Sequence, residues 1–111
     1  MPATVPALRH MIDALAENFP GRDDILWGYT QAHREDWEMV KTALDMGAST
    51  VRIGFEDSDC IAPGVHVDNN AVLIAEVADI IKSKGMLPMT PDEARAMLGI
   101  PPLAGRGRNR W

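Results

Sequence analysis

An arginine and two carboxylates sit close together near the middle of the chain, within Val51-Arg52-Ile53-Gly54-Phe55-Glu56-Asp57. Thr50 to Phe55 reads as a strand. Side chains on a strand alternate between its faces, so Val51, Ile53 and Phe55 share one face and Thr50, Arg52, Gly54 and Glu56 the other. In a parallel sheet both faces are covered. Charges on a covered face need partners, because a buried unpaired charge is very costly. Gly54 leaves room between them for a ligand or another backbone. Asp57 follows where the chain turns. Strand–helix barrels carry their catalytic groups at the C-terminal ends of strands, which is where these charges fall. Two readings fit the pattern: an active site, or an ion pair that ties the strand end.

The surrounding elements must hold that strand. Residues 4 to 19 read as a helix, with Leu8, Met11, Ile12, Leu15 and Phe19 on one face, Thr4 as N-cap and Pro20-Gly21 as the stop. Residues 24 to 30 are short, apolar and aromatic and suit a strand. A helix over about 32–46 presents Trp37, Val40 and Leu44, and Gly47 sits at its C-terminal cap. After the strand at 50–55 comes a loop, 56–68, containing Pro63-Gly64. A helix over about 70–84 points Val72, Ile74, Val77, Ile80 and Ile81 inward. Met86 to Met89 suits a short extended piece. Thr90-Pro91-Asp92-Glu93 opens a last helix: Thr90 caps it, Pro91 takes the first position and Glu93 completes a capping box. Gly99 and Pro101-Pro102 end it. Strands alternating with helices imply an α/β fold with a parallel sheet.

The 111 residues suit one small domain or a piece of a larger one, and a 46% hydrophobic content is enough for a core. A net charge of -5 argues against nucleic-acid binding, since the one basic cluster is Arg106, Arg108 and Arg110. The single cysteine, Cys60, excludes an internal disulfide and fits a cytoplasmic setting. No apolar run reaches the roughly 18 residues of a membrane span, and the N-terminus lacks the pattern of a signal peptide. His33 and His66 follow strand ends and are expected to be ordinary exposed histidines, as is His10. Cys60 has no spaced partner and is expected to be an ordinary loop thiol. Asp23-Asp24 and Glu35-Asp36 read as charge at element ends, and Trp27 and Trp37 as core. Residues 105–111 are expected to form a basic, disordered tail.

The Val51 to Asp57 segment resembles a signature of the β-keto acid cleavage enzymes. The likeness extends outward in order and spacing. Met1-Pro2-Ala3-Thr4 with Leu8 and Met11 resembles the stretch before the family's seventh strand. Gly64, Asn70-Ala71 and Leu73 resemble the entry to its last helix. Thr90-Pro91-Asp92-Glu93-Ala94-Arg95 through Leu98-Gly99 resembles its C-terminal helix. This resemblance implies the C-terminal portion of a TIM (β/α)8 barrel, strands 7 and 8 with their helices, over residues 1–104. It implies a transferase in which a β-keto acid and acetyl-CoA give acetoacetate and a new CoA thioester. A divalent metal, usually zinc, acts there as a Lewis acid that stabilises an enolate. Glu56 resembles the carboxylate that ligates this zinc. Arg52 and Asp57 resemble the pair that handles the substrate proton, a neighbouring cation keeping an aspartate ionised and oriented as a base.

The family's other two zinc ligands are histidines of an early strand, and no His-x-His occurs in this chain. Catalytic zinc sites use three protein ligands, so an isolated chain is expected to be inactive. Gly28-Tyr29-Thr30-Gln31 stands where many members have a Gly-Arg pair, and Ser58 where Asn is common; both are expected to mark a different substrate subgroup. Full-length members are expected to be homo-oligomers. Two other readings stand beside the enzyme fragment. One is a non-catalytic docking piece or remnant that associates with a chain supplying the missing strands. The other is an unrelated strand–helix domain that binds phosphate at the Gly54–Gly64 loop.

Overall fold

The structure, a computed structural model, describes residues 4–32 and 34–101. It begins with α1 (Val5–Asn18), capped as expected by the Thr4 hydroxyl, which accepts from the Ala7 amide at 3.2 Å. Strand β1 (Gly28–Thr30) and helix α2 (Glu38–Asp45) form the first strand–helix unit, and β2 (Thr50–Arg52) begins the second. The two strands pair in parallel, with Gly28 opposite Thr50, Tyr29 opposite Val51 and Thr30 opposite Arg52. The expected parallel, mixed α/β arrangement is therefore present.

The pairing explains a glycine. A Cβ on Gly28 would run into the Thr50 hydroxyl, so only a bare backbone lets the strands approach there. Both strands are shorter than the expected 24–30 and 50–55. A strand extends only as far as a neighbour supplies ladder hydrogen bonds, and among the described residues β1 and β2 have only each other. Helix α2 also starts late, at Glu38 rather than near Ala32. Its first amide is taken by the Asp36 carboxylate at 3.1 Å, which acts as a local cap.

The expected loop at 56–68 contains a hairpin. Strands β3 (Cys60–Ala62) and β4 (Val65–His66) pair antiparallel across Pro63-Gly64, with an irregularity between Cys60 and Ala62. Helix α3 (Asn70–Ser83) follows, its N-cap Asn69 accepting from the Val72 amide at 3.2 Å. Met86 to Met89 joins no strand. Helix α4 (Pro91–Leu98) carries the complete capping box: Glu93 N–H to Thr90 Oγ1 at 3.2 Å and Thr90 N–H to Glu93 Oε1 at 3.0 Å.

The core lies between α2, α3 and one face of the sheet. Trp37, Val40, Leu73, Val77 and Ile80 are buried in it, with Tyr29, Val51, Ile53 and Ile61 packed around them. Two inward assignments on α3 fail: Val72 and Ile74 are exposed. Leu73, Val77 and Ile80 repeat at four and three residues and form the stripe that faces the core, while positions 72 and 74 flank it. The apolar face of α1 is not buried either. With Trp27, Tyr29 and Met39 it lines an open, apolar cavity of about 590 Å³. Trp27, expected in the core, is only partly covered.

Candidate functional site

Val51 and Ile53 turn toward the core, as strand alternation requires. That places Arg52 on the opposite face, at the C-terminal end of β2. Beyond Ile53 the chain leaves the strand, and Gly54 adopts φ +155°, a conformation L side chains rarely enter. Its carbonyl accepts from the amides of Asp57 at 3.0 Å and Ser58 at 2.9 Å, closing a tight turn. The turn is tied down by α3, because the Phe55 amide donates to the Asn70 side chain at 3.0 Å. Ser58 ties it to the other side of the fold by donating to the Arg34 carbonyl at 2.6 Å.

This turn brings Glu56 and Asp57 back onto Arg52. The guanidinium Nη2 donates to Glu56 Oε2 at 2.6 Å, and Nε lies 3.5 Å from Asp57 Oδ2, an ion-pair contact. The three residues read together from the sequence are thus together in space. Their setting differs from the covered face expected of a parallel sheet. The Arg52 and Glu56 side chains are 60% and 81% exposed, and Asp57 alone is sheltered, at 13%. A two-stranded sheet has no further strands to curl over this face. Glu56 and Phe55 also lie in the turn, so strict alternation stops at Ile53, and Phe55 is half exposed.

Gln31, named from the sequence only as part of the departure from a Gly-Arg pair, adds a buried polar group. It follows β1, is 2% exposed, and its backbone amide donates to the Arg52 carbonyl at 3.0 Å. Its Nε2 donates to the Asp36 carbonyl at 2.5 Å, while its Oε1 has no partner among the described residues. A residue directly after a strand, beside the end of the next strand, is the positional signal that would have found it.

The other candidates divide. His10 is exposed, and Asp24 pairs with Arg22 at 2.6 Å. Glu35 accepts from the Gly64 amide at 2.9 Å. His33 and the 105–111 tail lie outside the described residues. Cys60, expected to be an ordinary loop thiol, instead starts β3 and is 3% exposed. Trp37 donates through its indole N–H to the Cys60 carbonyl at 3.1 Å, which joins core and hairpin. His66 is exposed as expected, but its Nδ1 lies 3.0 Å from Asp59 Oδ1 and 3.5 Å from Cys60 Sγ. This grouping went unnoticed in the sequence because it depends on the hairpin register.

As a metal centre the strand end is incomplete among the described residues. Glu56 offers one carboxylate, and its Oε2 is engaged by Arg52. Among the described residues the gathering of three His, Cys, Asp or Glu donors is at Asp59, Cys60 and His66, and Glu56 is not part of it. A three-ligand zinc site on Glu56 does not fit the residues present.

A parallel strand–helix pair with charge at a strand's C-terminal end defines a mixed α/β protein of the kind that places chemistry at strand ends. The model of one family, beta-keto acid cleavage enzyme, matches residues 1–100, and the chain belongs to that family. Over 86 residues it is 33% identical to 3-keto-5-aminohexanoate cleavage enzyme of Fusobacterium nucleatum, covering 78% of this chain and 30% of the relative. It is 30% identical over 88 residues to 3-oxoadipate:acetyl-CoA acetyltransferase of Cupriavidus necator, covering 79% and 31%. With 3,5-dioxohexanoate:acetyl-CoA acetone transferase of Paraburkholderia graminis it shares 30% identity over 77 residues, covering 69% and 24%. The matches therefore span less than a third of each of these relatives. Among the described residues no helix is long and apolar enough to cross a membrane.

Proposed function

We propose that these residues form the C-terminal part of a β-keto acid cleavage enzyme, strands 7 and 8 of a (β/α)8 barrel, in which acetyl-CoA and a β-keto acid exchange acyl groups. The observation that carries this reading is the Arg52 guanidinium held between Glu56 at 2.6 Å and Asp57 at 3.5 Å at the end of a parallel strand. Family membership and the acetyl-CoA in two relatives' names support it.

In this reading Asp57 is the base that takes the substrate proton. Arg52 orients it through the 3.5 Å ion-pair contact. The shelter of Asp57 suits that role, since a base screened from water keeps a fixed geometry. Glu56 contributes a single carboxylate to a zinc centre whose other donors lie on strands outside this chain. The open face of β1 and β2, with Arg52 on it, becomes the barrel interior once those strands are in place.

A magnitude separates this reading from a purely structural ion pair. Exposed ion pairs contribute only about 0–1 kcal/mol, so tying the strand end would be a weak reason for the cluster. The test is a chimera in which residues 1–100 replace the matching segment of the Fusobacterium relative. Acetoacetate formation from acetyl-CoA is followed with a panel of β-keto acids. The chimera is expected to turn over, and the isolated chain is expected not to. A folded chimera that is inactive on the whole panel, or one whose rate is indifferent to Asp57→Asn, would reject the proposal.

A further inference from the structure

We propose a second metal site, formed by Asp59, Cys60 and His66 on the β3–β4 hairpin, that takes a zinc-class divalent ion. It does not depend on the proposed reaction and uses none of the residues assigned to it.

The donor geometry carries the argument. Cys60 Sγ lies 3.5 Å from His66 Nδ1 and 3.7 Å from Asp59 Oδ1, and Nδ1 and Oδ1 are 3.0 Å apart. In a tetrahedral zinc site, with Zn–S near 2.3 Å and Zn–N and Zn–O near 2.1 Å, neighbouring donors sit about 3.3–3.6 Å apart. The three atoms already stand within a few tenths of an ångström of that triangle. The donor set, one thiolate, one imidazole and one carboxylate, is a zinc set rather than a calcium or magnesium one.

A hydrolytic or thiol-transfer triad is the competing use of these residues, and the geometry argues against it. In a triad the histidine touches the nucleophile with one nitrogen and the carboxylate with the other. Here the same nitrogen, Nδ1, faces both. The thiol is also poorly activated: burial, then Asp59 and Glu35, push the Cys60 thiol up from its usual range. Those same carboxylates favour a cation.

The site is built into the fold. Trp37 fixes the Cys60 carbonyl, and the Gly64 amide bonded to Glu35 holds the turn. Cys60 is buried, while Asp59 and His66 are open to solvent, leaving the fourth position for water.

Cobalt(II) titration of the reduced full chain tests this. A thiolate-to-cobalt charge-transfer band in the near ultraviolet should saturate at one ion per chain and disappear when zinc is added. His66→Gln and Asp59→Asn change exposed side chains and should leave the circular dichroism intact, while each weakens cobalt affinity at least tenfold. Glu56→Gln should leave the band unchanged. No band at millimolar cobalt, a saturation point of two chains per ion, unaltered affinity in both the His66 and Asp59 variants, or loss of the band in Glu56→Gln would each overturn the site.

Discussion

The strand end at Arg52–Asp57 and the hairpin at Asp59–His66 are separated by a single residue, yet they are built in opposite ways. The strand end is an ion cluster on an open sheet face, with Arg52 and Glu56 largely in solvent. The hairpin is anchored to the core through Cys60 and Trp37 and gathers its polar atoms without help from other strands. The two regions therefore need different things. The strand end has its charges in order but lacks an enclosure, and charges gain most in a closed, low-dielectric site. The hairpin has its own support, so its behaviour should be the same in the isolated chain and in a complete barrel.

The largest effect that separates the two concerns activity. In the chimeric barrel, Asp57→Asn is expected to lower kcat by about 10²–10⁴-fold, the range for loss of a general base. Arg52→Ala is expected to approach it. His66→Gln should leave kcat within a few-fold. Acetoacetate assays on the purified variants check this, and equal losses at Asp57 and His66 would erase the distinction.

Next comes the hairpin's anchor. Trp37→Ala removes a buried indole and leaves the Cys60 carbonyl without its donor. Core Trp→Ala changes cost about 3–5 kcal/mol. Urea unfolding of the chimera should show a loss of that size, and cobalt binding at the hairpin should weaken with it.

How far each region can be read from sequence follows from what fixes it. Arg52, Glu56 and Asp57 lie within a few residues of one another, and a strand followed by a turn is enough to bring them together. The capping box of α4 is equally local. The parallel pairing of β1 and β2 followed from strand–helix alternation. The hairpin was missed although Pro63-Gly64 marked its turn, because strands of two and three residues are too short to show alternation. Cys60 was misjudged for the same reason. Its carbonyl is held by Trp37, 23 residues earlier in the chain, and it is 3% exposed. Strand lengths were overestimated because they depend on neighbouring strands, which a strand's own residues do not encode.

A moderate effect should follow from Gly54→Ala. The substitution forces a side chain into φ +155°, which costs on the order of 1–3 kcal/mol. If the turn relaxes to avoid that cost, Glu56 and Asp57 move off Arg52, while the hairpin keeps its Trp37 anchor. Urea unfolding of the chimera should report the cost, and reduced turnover with unchanged cobalt binding would localise the damage to the strand end.

The smallest effect tests the ion pair itself. Glu56→Ala removes the 2.6 Å contact with Arg52, but both side chains are mostly exposed. Solvent screens such a pair, and holding two long side chains in register costs entropy, so the expected change in unfolding free energy is about 0.5 kcal/mol or less. It should shrink further as salt rises, because the Debye length falls from about 10 Å at 0.1 M to about 3 Å at 1 M. In the chimeric barrel the same variant should nevertheless abolish turnover, since there Glu56 is assigned to the metal. A stability loss several times larger, insensitive to salt and matched by only a mild kinetic defect, would mean that the carboxylate ties the strand end. The strand end would then be the structural region of the two, and metal chemistry among the described residues would rest on the hairpin.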